Sequence, residues 1–255
     1  MISPLSFYRQ LCVRGLLVAF SLLPLGQLSA QIIGQTAGQT AGQTAGQTAG
    51  QAAGSAASNI KPQPGNQKIQ EGIDYRISTA PQPVETKNKV EVIEFFWYGC
   101  PHCFEFEPEL SAWASRQGKD VVFKRIPVAF RDDFLVHSQL FFTLEAMGKG
   151  DALNNKVMTA IHKENKRLLT ENDIADWAVS QGLDRNTFLT TFRSFATVSK
   201  ARNANQQSTN YRIDGVPTVV IQGRYVTSPS IAGTKTKAIQ TMDYLVDKVR
   251  KEKYK

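Results

Sequence analysis

Hydrophobic and polar positions divide the chain into stretches of different character. From Val90 to Tyr98 the run "VEVIEFFWY" is β-branched and aromatic, which predicts a buried central strand. Pro101 falls in the first turn of the next segment, where a missing N–H costs nothing. That segment, to about Gln117, sets Phe106, Leu110, Trp113 and Ala114 on one helical face. "DVVFKRIPV" reads as a second strand, and "DYRIS" upstream as a short edge strand. From Asp132 to about Tyr211 the period turns helical, with Phe134, Leu135, Leu140, Phe141, Leu144 and Met147 in register. Thr170 and Asp173 have capping-box-like spacing, and Asp184 offers another cap. Strand character resumes in "VPTVVIQGRYVTS", two short runs joined at Gln222-Gly223 as a hairpin. Thr234 then caps a last helix striped by Ala238, Ile239, Met242, Leu245, Val246 and Val249. The order is βαβ, a block of helices, then ββα. It predicts an α/β fold in which a parallel unit and a hairpin share one sheet, with the helical block inserted at its edge.

Folded sequence begins near Ile69, and what precedes it has no such period. Residues 34–54 repeat Gly, Gln, Thr and Ala with no charge and no aromatic. Such a segment buries too little to offset the entropy of ordering, so residues 31–68 read as a low-complexity leader. Residues 1–30 carry Arg9 and Arg14, no acid, and an apolar run from Leu16 to about Leu25. That is about half of the ~20 residues a membrane span needs, and it predicts a secretory signal ending at Ala30 and export to the periplasm. Retention as a membrane anchor is the alternative. The formal net charge is +8, but the basic residues are scattered, and only the C-terminal "KVRKEKYK" is dense. That run suits a solvated helix end. A nucleic-acid footprint needs a basic stripe with reading groups, and none is present in the sequence.

Of the three cysteines, Cys12 leaves with the signal. Cys100 and Cys103 remain, separated by Pro101 and His102 at the predicted junction of strand and helix. A staple here closes a very short ring and removes little unfolded-chain entropy. Structural zinc takes four ligands, yet the sequence has no second cysteine pair, and His137 and His162 read as ordinary surface or core histidines. A redox dithiol is the reading that remains. At a helix N-terminus Cys100 meets free N–H groups and the positive end of the dipole, so its thiol should be acidic, with His102 adding to the effect. Cys103, one turn in, should be more buried and less acidic.

"EFFWYGCPHCFEFEPEL", followed over a hundred residues later by "GVPTVVIQGRY", resembles the DsbA family of periplasmic thiol:disulfide oxidoreductases. The resemblance covers about residues 70–252. It implies a thioredoxin fold over residues 69–131 and 212–253, with an inserted α-helical domain over 132–211. It implies that Cys100 and Cys103 form a redox-active disulfide, with Pro101 and His102 between them tuning it. Val216 and Pro217 are then a substrate-binding loop with a cis peptide facing the disulfide. It also implies an acid beneath the site that helps proton movement, at Glu94. This Glu interrupts an apolar strand, where a charge is costly unless paired. Glu91 falls on the opposite face, so at least one of the two is out of place in a central strand. Glu107 reads as a solvated helix charge. Phe95, Phe96 and Trp97 read as core, with Trp97 or Tyr98 bordering the substrate surface. The family further implies a monomer without cofactor or metal, clients among reduced exported proteins with cysteines, and regeneration by a DsbB-like membrane quinone-linked oxidase. Its members oxidise strongly because their reduced form is stabilised.

Two other functions stay open on the sequence. A reductase or isomerase of the same fold would remain oxidised against a reducing glutathione buffer. A chaperone or peptide-binding module would keep its cellular role after Cys100→Ser.

Overall fold

The computed structural model describes residues 68–253 apart from Lys87. The expected signal, the leader up to residue 67 and Cys12 lie outside the described residues. Among the described residues no helix is long and apolar enough to cross a membrane.

Strand β2 (Val90–Phe96) is buried along its whole length and sits inside a five-stranded sheet. Its neighbours are β3 (Val121–Pro127), parallel, and β4 (Thr218–Ile221), antiparallel. β5 (Tyr225–Thr227) pairs antiparallel with β4, and β1 (Arg76–Ile77) with β5, giving the order β1-β5-β4-β2-β3. The β4–β5 hairpin turns through Gln222, Gly223 and Arg224; Gln222 and Gly223 both have positive φ (53° and 62°), and Arg224 N–H closes the turn on the Ile221 carbonyl at 3.1 Å. No side chain fits at Gly223, because a Cβ there would lie 2.1 Å from the Gln82 carbonyl oxygen.

Helix α1 (Pro101–Ser115) packs one sheet face together with α8 (Lys235–Lys253). Phe106, Leu110 and Trp113 meet Met242, Leu245, Val246 and Val249 there, over Val90, Val92, Val219 and Tyr225. α1 continues through Pro108, which cannot donate to the carbonyl one turn back. Between β3 and β4 lie a short 3-10 turn (Asp132–Phe134) and five helices: α2 (Leu135–Ala146), α3 (Gly150–His162), α4 (Glu171–Ser180), α5 (Arg185–Phe192) and α6 (Phe195–Asn210). A four-residue helix, α7 (Pro229–Ala232), links β5 to α8. The expected caps are present. Thr170 Oγ1 accepts from Asp173 N–H at 3.1 Å, Asp184 Oδ1 from Thr187 N–H at 2.8 Å, and Thr234 Oγ1 from Lys237 N–H at 3.0 Å. The inserted helices enclose a core of their own, built on Leu140, Leu144, Val157, Ile174, Trp177 and Phe188. Phe96, Tyr98, Cys100 and Cys103 belong to that core as well, so the cysteine pair sits where sheet and inserted helices meet.

Candidate redox site

The site is built at the end of β2. The strand stops at Phe96, two residues short of the sequence expectation, because Trp97, Tyr98 and Gly99 turn the chain into α1. Gly99 is required there: a Cβ would lie 2.4 Å from the Trp97 indole, which covers the turn. That indole also stacks on Phe134, with ring centroids 4.0 Å apart. Cys100 is the N-cap residue of α1, and its own side chain caps nothing. Pro101 occupies the first helical position, and His102 is exposed, with Nδ1 3.7 Å from Glu105.

Cys100 and Cys103 are free thiols in this structure, 8% and 0% exposed. Cys100 lies against the opposing loop, its Sγ 3.4 Å from the carbonyl oxygen of Val216, and the Val216–Pro217 peptide is cis. The two thiols are driven apart. The Cys103 thiol, then the backbone N–H groups of Cys103 and His102, and last the charge of His102 pull the Cys100 pKa down to about 6 against the effect of burial. Burial pushes the Cys103 thiol far up, helped by its hydrogen bond to Cys100 and by the Glu94 charge. His102 thus contributes more through its backbone than through its ring.

Under the pair, Glu94 is completely buried, and Glu91 is buried too, held by Lys124 Nζ at 2.8 Å. Burial lifts the Glu94 pKa to about 7, against the opposing pull of Arg125. Arg125 stands opposite Glu94 in the parallel register and donates from Nε to Glu94 Oε2 at 3.0 Å. Its Nη2 donates to both oxygens of Glu107, at 2.8 and 3.0 Å, and to Ser111 Oγ at 3.1 Å. Glu107 is therefore a correction: it is 3% exposed and ion-paired, not a solvated charge. Its position four residues after the buried Cys103 already placed it on the same helical face. Arg125 was missed altogether; its signal was a basic residue inside a predicted strand. Of the two aromatics expected to offer a border to the surface, Tyr98 is 1% exposed and Trp97 is half-buried. Of the lone histidines, His137 is core and donates to the Leu168 carbonyl at 3.0 Å, and His162 reaches the carbonyl of Tyr98. Among the described residues no three His, Cys, Asp or Glu side chains come together to hold a metal.

A dithiol with one acidic and one basic sulfur, facing a loop carbonyl and set above a protonatable carboxyl, can exchange disulfides. Known proteins agree. Residues 123–237 match the family model of the DSBA-like thioredoxin domain. The thiol:disulfide interchange protein DsbA of Burkholderia cepacia is 45% identical over 183 residues, 71% of this chain and 86% of that protein. The DsbA of Pseudomonas aeruginosa PAO1 is 40% identical over 179 residues, 70% of this chain and 85% of that protein. The crystal structure of Pseudomonas aeruginosa DsbA superposes with a TM-score of 0.70 at 39% identity, covering 73% of this chain and 97% of that one. NmDsbA1 of Neisseria meningitidis superposes with a TM-score of 0.66 at 28% identity, over 73% and 96%. With that degree of identity over most of both chains, the protein belongs to the DsbA family, as a thiol:disulfide oxidoreductase with a thioredoxin fold and a helical insertion.

Proposed function

We propose that this oxidoreductase works as an oxidase that donates its disulfide to reduced, cysteine-bearing proteins in the periplasm. Residues 1–30 direct its export, residues 31–68 are a leader ahead of the enzyme, and residues 132–211 are a helical domain inserted between 69–131 and 212–253. The observation that carries the reading is the opposite displacement of the two thiols: Cys100 down to about 6 and Cys103 upward. A sulfur held well as an anion is a good leaving group, and its disulfide is easily opened.

Exchange then runs in two steps. A substrate thiolate attacks Cys100 Sγ of the disulfide; the S–S bond breaks and Cys103 leaves as a thiolate. That anion is poorly tolerated in its buried place, so it takes a proton, and Glu94, protonated up to about pH 7, is the donor beneath it. The substrate's second thiolate then attacks the substrate sulfur of the mixed disulfide and releases Cys100 as the stabilised anion. The substrate is oxidised by two electrons and the cysteine pair is reduced. Pro101 starts the helix that stabilises Cys100, and His102 adds its N–H and its charge. Val216 and Pro217 form the loop along which an extended substrate lies. The protein acts as a monomer without a cofactor, and a DsbB-like quinone-linked membrane oxidase restores the disulfide.

The test is equilibration with glutathione buffers. The pair is expected to be already reduced at an oxidising glutathione ratio. A pair that stays oxidised at reducing ratios would refute the oxidase and favour a reductase or isomerase.

A further inference from the structure

The turn that delivers Cys100 is tied at its ends by backbone bonds. Cys100 N–H donates to the Trp97 carbonyl at 2.9 Å, and Phe104 N–H donates to the Cys100 carbonyl at 3.1 Å. Between them stands the carbonyl of Tyr98, in a residue only 1% exposed. A buried carbonyl left without a donor is costly. Its partner comes from the inserted helices: Nε2 of His162, the last residue of α3, lies 2.8 Å away. A carbonyl can only accept, so that nitrogen carries the proton. The same imidazole stacks on Phe104, the residue after Cys103, at 4.9 Å and 16°. One side chain of the insertion thus grips the residues on both sides of the redox pair.

We propose that His162 is a positioning residue, fixing the turn that carries Cys100 and so the placement of its sulfur among the donors that hold it. This rests on the reading of Cys100 as the stabilised thiolate. Those donors are the Cys103 thiol and the backbone N–H groups of His102 and Cys103, all in the first turn of α1. Hydrogen bonds weaken steeply with angle and distance, so a small drift of the turn loosens all three together. The Tyr98 hydroxyl makes a separate bond to Asn154 on α3. That bond holds the ring, not the carbonyl, and serves as the control.

The experiment follows the Cys100 thiolate by its ultraviolet absorbance in the reduced full-length protein. His162→Phe keeps the stack on Phe104 and deletes the donor. It should raise the Cys100 pKa by about one unit and, at pH values above the new pKa, move the equilibrium with glutathione about tenfold toward the disulfide. His162→Gln restores an N–H and should bring the titration back close to that of the unmodified protein, and Tyr98→Phe should leave it unmoved. Equal titration in all three variants overturns the proposal, as does an equal shift in His162→Phe and His162→Gln. If the unmodified protein itself has an ordinary thiol, the oxidase reading fails instead. Should His162→Phe not fold, nitrogen-15 shifts of His162 in the unmodified protein decide. An Nε2–H tautomer upholds the bond, and an Nδ1–H tautomer overturns it.

Discussion

Under the cysteine pair one guanidinium serves two buried carboxylates, and the balance leaves a negative charge in excess. Glu94 is fully enclosed with Oε1 free of any hydrogen bond, and burial lifts it to about 7. Glu107 has the bidentate share of Arg125 and a hydroxyl from Ser111. Arg125→Met should therefore do more than delete one ion pair. It strands two carboxylates in a dry site, a loss of about 3–5 kcal/mol, visible as a lower urea midpoint at pH 8. Adding Glu94→Gln to it should recover part of that loss, because one stranded charge is gone. A purely additive double mutant would show that the residues are not coupled. The sequence marked Glu94 as out of place, since a charge inside an apolar strand needs a partner. It could not supply that partner, because Arg125 faces Glu94 only once β3 lies parallel to β2 in this register.

Elements were more legible than their ends. Composition placed β2, β3 and the β4–β5 hairpin, and side-chain oxygens ahead of helical runs marked the starts of α4, α5 and α8. Trp97 and Tyr98 have strand composition, so the pattern extends β2 two residues past its end at Phe96, while the turn is dictated by the helix that Cys100 opens. "DYRIS" shrank to Arg76–Ile77, since an edge strand is set by its partner and not by its own composition. The caps give a clean prediction. Thr170→Ala leaves the Asp173 N–H without its acceptor and should cost about 1 kcal/mol, while Thr170→Ser should be near neutral. Both effects should be the same in the reduced and the oxidised protein, because the Thr170 hydroxyl bonds only within the start of α4. A loss confined to one redox form in denaturant titrations would contradict this.

Across the whole molecule, the titrating groups divide by whether both redox forms possess them. His137, pushed down to about 4 by burial, favours the unfolded chain as pH falls from 6.5 toward 4. Glu94, lifted from 4.5 to about 7, does the reverse, stabilising the fold at low pH and losing that contribution as pH rises through 7. The two slopes oppose each other over most of the window between, and both groups are present whether or not the disulfide is closed. The thiols of Cys100 and Cys103 exist only in the reduced form, and Cys103, pushed far up by burial, keeps its proton in the fold throughout the range below pH 9. The Cys100 pKa is about 6 folded against 9.0 for the ordinary thiol. Between those values the unfolded chain binds the extra proton, so stability rises with pH and is lost as pH falls through 6. The reduced protein should thus gain on the oxidised protein by about 1.4 kcal/mol per pH unit, about 4 kcal/mol in all by pH 9. Urea unfolding of both forms at pH 5, 7 and 9 reads the effect: His137 is common to both forms and cancels in the difference, and Glu94→Gln in both removes the carboxyl whose charge couples to the cysteines. A constant gap across that range would mean that Cys100 is an ordinary thiol, and the driving force for giving away the disulfide would have to come from elsewhere in the fold.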